Sequence, residues 1–202
     1  MIKKIITLII IFIFCTFSLC GCENNDNNNK TTTDINKTGL TVELPTIKEP
    51  VEQEIANFST TIKSKGAGRL NNIRITCSKI NGQIVDSMQE FSFEQIVGKS
   101  TPEEGYQKAD IFVNKQIVQA YGGGNCQVSS TLYNAVLQVP ELNITERHPH
   151  GRKVDYVPEG KDAAVSYGTL DLKFINNLDT KIKIYASSDD NTVNIRIVKI
   201  VE

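Results

Sequence analysis

From Leu142 to its end the chain is a succession of short strand-like runs, which limits the second half of the fold to a β-sheet. The runs are rich in β-branched and aromatic residues, and Asn and Asp clusters separate the last three of them. They lie around Ile144 and at 154–157, 164–167, 170–175, 182–186 and 193–198. Strands joined by such short turns pair antiparallel. The sequence therefore predicts a mostly antiparallel sheet in this part.

Helical spacing dominates the part of the chain before these strands. Apolar residues recur every three or four positions over 69–80 and again from Cys126 onward, where Pro140 stops the pattern. A Thr-Pro pair predicts a further short helix over 102–109, and a strand or hairpin is predicted over 111–118. The predicted fold class is α+β, with N-terminal helices, a Cys-bearing helix and a C-terminal, mostly antiparallel β-sheet.

The N-terminus has the pattern of a lipoprotein export signal. Lys3 and Lys4 precede an almost entirely apolar run over 5–17, and Leu19, Cys20 and Gly21 lead to Cys22 in the order of a lipoprotein cleavage box. Residues 1–21 are therefore predicted to be a signal peptide, and Cys22 is predicted to carry the lipid. An uncleaved membrane anchor is the alternative. Both interpretations place the remainder outside the cytoplasm, and the first anchors it to the outer face of the cytoplasmic membrane.

Residues 22–56 are predicted to be the lipidated cysteine followed by a disordered or extended tether, because the stretch after Cys22 is rich in Asn, Asp, Lys and Thr. Residues 57–202 are predicted to form one domain, since their length suffices for a single core. The formal net charge of the chain is −1, and no basic cluster is present. Nucleic acid is therefore not expected as a partner.

The most suggestive chemical feature is Cys126, which follows three glycines at the start of a predicted helix. A helix N-terminus carries partial positive charge and favours a thiolate over a thiol. Cys126 is the candidate nucleophile, and backbone N–H groups around it are candidate oxyanion donors. The residues assigned to substrate or oxyanion contact in this stretch are Gly123, Gly124, Gln127, Ser129 and Ser130. A cysteine that only packs in the core is the alternative.

The chain contains only two histidines, His148 and His150. His150 is the first candidate for the general base and His148 the second, because an imidazole titrates near neutral pH. A carboxylate should orient the ring, and the candidates are Asp162, Asp155 and Asp171, which spacing does not separate. Arg147 is a candidate for binding a substrate carboxylate. Tyr156 either lines a groove or fills the core.

Cysteine counting leaves two other interpretations open. If the signal is removed and Cys22 is lipidated, Cys77 and Cys126 are the remaining thiols, and an exported protein could join them in a disulfide. Helical spacing favours Cys77 as a small core residue instead. A zinc site made by both cysteines and both histidines lacks the short Cys-x-x-Cys spacing. No metal or organic cofactor is therefore expected.

Dispersed motifs in this chain closely resemble the VanW domain over about residues 58–185. The residues that carry the resemblance are Phe91-Ser92-Phe93, the run from Gly122 to Ala135, Glu146-Arg147-His148-Pro149-His150, Tyr156-Val157-Pro158, Gly160-Lys161-Asp162-Ala163 and Asp171-Leu172-Lys173-Phe174. Cys126 matches the family cysteine, and His150 matches its Arg-x-x-His position. Gly151 replaces the Ser that usually follows that His, and 87–90 stands where the family has a Pro-Gly turn.

The resemblance implies a protein of the bacterial cell wall, associated with glycopeptide-resistance gene clusters. Some VanW-domain proteins act as L,D-transpeptidases that form 3–3 cross-links between peptidoglycan stem peptides. By that resemblance Cys126 attacks the carbonyl of the third stem residue and releases the terminal D-alanine, and an amine of another stem resolves the thioester. Two alternatives stay open. One is a Cys/His peptidoglycan hydrolase, and the other is a non-catalytic wall-binding or resistance accessory protein.

Overall fold

The computed structural model describes residues 50–113 and 116–201. Every described residue belongs to the compact unit Thr46–Glu202. The predicted signal peptide, Cys22 and the tether up to residue 49 lie outside the described residues. None of the helices in the described part has both the length and the apolar character that crossing a bilayer requires.

The described residues form three helices and nine strands. The helices are α1 (Ala67–Ile80), α2 (Phe93–Val97) and α3 (Asn125–Val136). The strands are β1 (Val51–Thr61), β2 (Gln83–Val85), β3 (Glu90–Ser92), β4 (Lys108–Val113), β5 (Gln116–Tyr121), β6 (Leu142–Glu146), β7 (Lys173–Asn176), β8 (Ile182–Ser188) and β9 (Thr192–Val201). The class is α+β, with more strand than helix, which confirms the predicted class.

The largest sheet joins the two ends of the domain. Its strand order is β1-β9-β8-β2, and all of its neighbours run antiparallel. Strand β1 begins at Val51, so residues 51–56 belong to the sheet and not to the tether to which we assigned them. Its inward positions alternate, with Ala56 and Thr60 buried, because successive side chains of a strand point to opposite faces.

The remaining strands form a three-stranded sheet with the order β3-β7-β6 and a separate hairpin of β4 and β5. Helices α1 and α3 contact each other and pack on the large sheet, α1 against β8 and α3 against β1 and β9. The apolar residues of the helices, the large sheet and the three-stranded sheet meet in one core. Its fully buried members include Ile73, Ile80, Leu132, Ile184, Ile195 and Ile197.

Three predicted elements are wrong. The predicted helix over 102–109 is instead a turn over 102–105, closed by Tyr106 N–H on Thr101 O, and Gly105 within it has a φ of 82°; Lys108 and Ala109 begin β4. The runs at 154–157 and 164–167 are loop, and this region holds only the isolated bridges His148–Ala164 and Ser166–Leu170. A loop therefore connects β6 to β7, and its residues do not form the hydrogen-bond ladder of a sheet.

Candidate active site

The glycine turn before Cys126 is shaped by close packing. A Cβ on Gly124, whose φ is 117°, would lie 2.7 Å from Ile73 Cγ1, and one on Gly123 would lie 2.9 Å from Ala109 Cβ. Only glycine lets the turn approach both α1 and β4 this closely. The two glycines, predicted as oxyanion contacts, thus serve to seat the start of α3.

Cys126 is the second residue of α3, and its thiol is free and half-buried. The thiol donates a hydrogen bond to the backbone oxygen of Val165, with an Sγ to O distance of 3.5 Å. Val165 belongs to the loop between β6 and β7. The sulfur therefore faces the loop that carries both histidines and is not sealed among aliphatic side chains.

The first turn of α3 leaves one backbone donor beside the sulfur. The N–H of Asn125 donates to Gly122 O, and the N–H of Gln127 donates to Gly124 O, both at 3.0 Å. The N–H of Cys126 has no acceptor within the part of the chain that the structure describes. Such unpaired donors at a helix start are suited to binding developing negative charge.

His150 and Asp162 face each other across the same loop. The distance from His150 Nδ1 to Asp162 Oδ2 is 2.7 Å, and the backbone N–H of His150 donates to the same oxygen at 2.7 Å. An ionised carboxylate only accepts, so this contact assigns the ring proton to Nδ1 and leaves Nε2 as the basic nitrogen. Tyr156 borders that nitrogen, with its hydroxyl oxygen 3.4 Å from Nε2.

Electrostatics couple the histidine to the thiol and to the acid. Burial lowers the pKa of His150, but the hydrogen bond and charge of Cys126, followed by those of Asp162, outweigh it and raise the pKa above its ordinary value. Burial raises the pKa of Asp162, whereas the hydrogen bonds from His150 lower it, and the net shift is downward. Burial, then the charge of Cys126, raises the pKa of Tyr156. Cys126, His150 and Asp162 form one interacting group.

Two serines of α3 hold the loop against the helix. Ser129 Oγ donates to Ala163 O at 2.6 Å, and Ser130 Oγ accepts from Ala163 N–H at 2.9 Å while donating to Cys126 O at 2.7 Å. Both serines are fully buried. We predicted them as substrate or oxyanion contacts, but their hydroxyls are taken up in fixing the residue next to Asp162.

Asn134, which the sequence reasoning missed, continues this contact one turn further along α3. Its Nδ2 donates to Lys161 O at 2.6 Å and to Ser130 O at 2.7 Å. The available signal was the spacing of Ser130 and Asn134, four residues apart on one helix face. Polar side chains on a buried helix face need partners, and here the loop backbone supplies them.

Arg147 holds Asp162 in place. Its Nε donates to Asp162 O at 2.6 Å, and its Nη2 donates to Asp162 Oδ1 at 2.8 Å. The guanidinium also lies over the ring of Tyr133, 5.4 Å from its centroid. The edge formed by Nε and Nη2 thus holds Asp162, and Nη2 also donates to Gly160 O at 3.2 Å, so the guanidinium positions the acid and the substrate contact stays a prediction.

The side-chain amide of Gln127 is also taken up by contacts within the fold, so its predicted substrate contact is corrected as well. The side chain is 1% exposed and accepts from Arg69 Nη2 at 2.8 Å. Its Nε2 donates to Thr60 Oγ1 and Thr61 O. The predicted contact fails because the polar atoms of a buried amide need hydrogen-bond partners, and the partners of Gln127 lie on β1 and α1.

His148, the second candidate base, belongs to a different cluster. Its Nε2 lies 2.8 Å from Glu146 Oε1, and Lys173 Nζ lies 2.8 Å from Glu146 Oε2. The hydrogen bonds from Lys173 and then His148 lower the pKa of Glu146 to about 2. The other two candidate acids do not orient His150, because Asp155 is exposed and Asp171 accepts from Ser92 Oγ at 2.6 Å.

Cys77 takes no part in this site. It is buried at 2% exposure in α1 and unpaired, so the disulfide alternative is wrong. Burial raises the pKa of its thiol to about 12. Across the residues that the structure describes, no cluster of His, Cys, Asp and Glu has the arrangement of a metal site.

Comparison with known proteins identifies the same region. The family described as VanW like protein matches residues 68–198. The uncharacterized protein YoaR of Bacillus subtilis (strain 168) is 40% identical over 134 residues, which cover 66% of this chain and 44% of that protein. The vancomycin B-type resistance protein VanW of Enterococcus faecalis (strain ATCC 700802 / V583) is 29% identical over 127 residues, which cover 60% of this chain and 46% of that protein.

This chain spans less than half the length of these curated relatives. No solved structure matches the chain significantly. The family match takes in α1, the glycine turn, Cys126 and the whole loop with His150 and Asp162. Because that match covers well over half of the sequence, the chain belongs to the VanW like protein family.

Proposed function

We propose that this protein is a cysteine L,D-transpeptidase that acts on peptidoglycan stem peptides. The observation that carries the proposal is the placement of one accessible thiol, one imidazole and one carboxylate as an interacting group at a helix N-terminus. These are the parts of thiol acyl transfer. Family membership and the resistance protein among its relatives support the cell wall as the place of action.

In the proposed reaction the Cys126 thiol gives its proton to His150 Nε2, and the sulfur attacks the carbonyl of the third stem residue. The Cys126 N–H donates to the oxyanion that forms, and one such donor contributes about 3–4 kcal/mol to catalysis. Collapse breaks the peptide C–N bond, and His150 returns the proton to the departing D-alanine amine. The product is a thioester on Cys126.

A side-chain amine of a second stem then attacks the thioester. His150 takes the proton that this amine loses, the C–S bond breaks, and the thiolate recovers a proton from His150. Asp162 keeps the ring oriented throughout and stabilises the imidazolium. Water in place of the amine makes the same site a hydrolase, so the acceptor decides between the two outcomes.

Export and anchoring through a lipid on Cys22 are part of the proposal. The pattern of Lys3, Lys4, the apolar run over 5–17 and the box that ends at Cys22 supports them. A substrate in the cell wall requires the domain to lie outside the cytoplasm. Labelling with a radioactive fatty acid tests this directly, and a Cys22→Ala variant that still incorporates the label contradicts it.

The test of the reaction uses the full-length protein, a purified stem tetrapeptide and an acceptor stem. Wild type is expected to release D-alanine, to form a 3–3 linked dimer and to show a tripeptide thioester on Cys126 by mass spectrometry. Cys126→Ala is expected to lose all three, while Cys77→Ala, which removes the buried thiol, keeps them. Cross-link formation by Cys126→Ala refutes the proposal. Release of free tripeptide without dimer favours the hydrolase.

A further inference from the structure

Arg69 lies in the first turn of α1, beside the candidate active site, and no acidic group of the described chain pairs with it. Its Nη2 donates to Gln127 Oε1 at 2.8 Å, a neutral acceptor. The ion pairs of the described residues do not include Arg69, and its Nε is buried without an acceptor. A partly desolvated cation without a counter-charge is costly unless an anion joins it.

The position of Arg69 relative to the thiol is fixed by its partner. Gln127 follows Cys126 directly in α3, and its Nε2 donates to Thr60 Oγ1 at 3.1 Å and to Thr61 O at 3.0 Å. With 1% of Gln127 exposed, its side chain is enclosed by the core and held by these hydrogen bonds. The guanidinium of Arg69 is thus hydrogen-bonded to a buried side chain of the residue that follows Cys126.

The charge of Arg69 also reaches the groups around the base. Burial raises the pKa of the Tyr156 phenol, and the charge of Arg69 opposes that rise. The same phenol oxygen lies 3.4 Å from His150 Nε2. The backbone oxygen of Arg69 would lie 3.3 Å from a Cβ on Gly124, so Arg69 borders the turn that leads into Cys126.

We propose that Arg69 binds the carboxylate of the residue that leaves when Cys126 attacks, so that the site selects acyl donors with a free C-terminus one residue beyond the scissile bond. In a stem tetrapeptide that residue is the terminal D-alanine. A guanidinium binds a carboxylate through two parallel hydrogen bonds, which specifies position as well as charge. The identity of the peptide rests on the proposed function, whereas the anion preference is a property of the thiol site itself.

The test compares two small alkylating agents on the full-length protein. Iodoacetate carries a carboxylate and iodoacetamide a neutral amide, and with either one the Cys126 sulfur displaces iodide. The rate at Cys126 is read from the modified peptide by mass spectrometry. Arg69→Gln is expected to lower the ratio of the iodoacetate rate to the iodoacetamide rate roughly tenfold. The ratio is compared only between variants whose circular dichroism and thermal midpoint match those of wild type, because Cys126 in unfolded chains reacts with both agents without an anion preference.

Arg74→Gln is the matched control. Arg74 lies in the same helix, is half-exposed and pairs with Asp190, so its removal is expected to leave the ratio unchanged. An unchanged ratio in Arg69→Gln, or an equal fall in Arg74→Gln, overturns the inference.

A second comparison uses the stem tetrapeptide with a free or an amidated C-terminus. Wild type is expected to prefer the free acid, and Arg69→Gln is expected to lose the preference. If Arg69→Gln processes peptides with the preference intact, the inference fails and the proposed function stands. If no peptide reacts with wild type but the alkylation ratio falls in Arg69→Gln, the anion site stands and the proposed function fails.

Discussion

The carboxylate of Asp162 accepts hydrogen bonds from three directions. The ring and the backbone of His150 occupy Oδ2, and Arg147 Nη2 occupies Oδ1. Its side chain is only 8% exposed, so water competes little with these contacts. The result is a fixed acceptor that holds the His150 ring through Nδ1 and leaves Nε2 free of the acid.

Asp162→Asn tests the role of this acceptor. An amide has only one oxygen that accepts, so it cannot replace both carboxylate oxygens for the His150 ring, the His150 backbone N–H and Arg147. His150 therefore loses its preferred tautomer and its orientation. We expect kcat for stem tetrapeptide to fall by about 10³–10⁴-fold, with the thermal midpoint shifted far less. Asp155→Asn, which changes an exposed acid of the same loop, serves as the control. A loss smaller than tenfold would show that Asp162 does not orient the base.

The same substitution should change the titration of His150. Hydrogen bonding and charge from Asp162 help to raise the pKa of His150 against the opposing effect of burial. Without the carboxylate the imidazolium loses a partner, and we expect the pKa of His150 to fall in Asp162→Asn. NMR titration of the ring protons measures this shift, and a pKa equal to that of wild type contradicts the assigned contact.

Helix α3 is the element that assembles the site. Its first turn presents Cys126, and its next two turns bind the loop backbone through Ser129, Ser130 and Asn134. The glycine turn sets where the helix begins, since Gly124 lies against Ile73 of α1. A change in this turn should therefore move the thiol relative to His150.

Gly124→Ala tests the seating of the helix. The new methyl group meets Ile73 Cγ1 at 2.7 Å, and the φ of 117° strains any residue with a Cβ. We expect a loss of roughly 1–3 kcal/mol in the free energy of unfolding, measured by urea denaturation, together with reduced activity. Gly66→Ala is the matched control, because its Cβ would meet nothing within 4 Å. Equal stability of the two variants would contradict a steric role for Gly124.

At the scale of the whole molecule, Glu146 ties β6 to β7 at the base of the loop. Lys173 and His148 both contact its carboxylate, and the pKa of Glu146 falls to about 2 from an ordinary value of 4.5. The unfolded chain binds more protons than the folded chain between these two values. The stabilisation is therefore complete above about pH 4.5 and is lost as the pH falls toward 2.

Glu146→Gln tests this pH dependence. Thermal melts from neutral pH down to about pH 2.5 should show wild type more stable than the variant at neutral pH, with the gap closing as the pH falls below 4.5. Glu141→Gln, at an exposed acid that forms no ion pair within the described residues, should show no such convergence. A gap that stays constant down to pH 2.5 would rule out the paired state of Glu146.

Several features of the fold could be predicted from the sequence because they depend on neighbours in the chain. Helical spacing predicts α1 and α3, and Pro140 and the glycines limit the ends of α3. The antiparallel pairing of β8 with β9 follows from the short turn between them. The placement of Cys126 at a helix start is likewise a local property, and so is its choice as the first candidate for the nucleophile.

Contacts between distant residues were decided only by the tertiary structure. Spacing does not distinguish Asp162 from Asp155 and Asp171, because the partner of His150 depends on how the loop folds back on α3. The sequence suggests substrate contacts for four polar residues, namely Arg147, Gln127, Ser129 and Ser130. Because each of them is largely buried, it pairs with a distant backbone or side-chain group. The pairing of β1 with β9 joins the two ends of the domain, which no local pattern encodes. Local sequence patterns determine the helices and strands. The tertiary structure determines which polar side chains pair, because buried polar groups need hydrogen-bond partners that are distant in the chain.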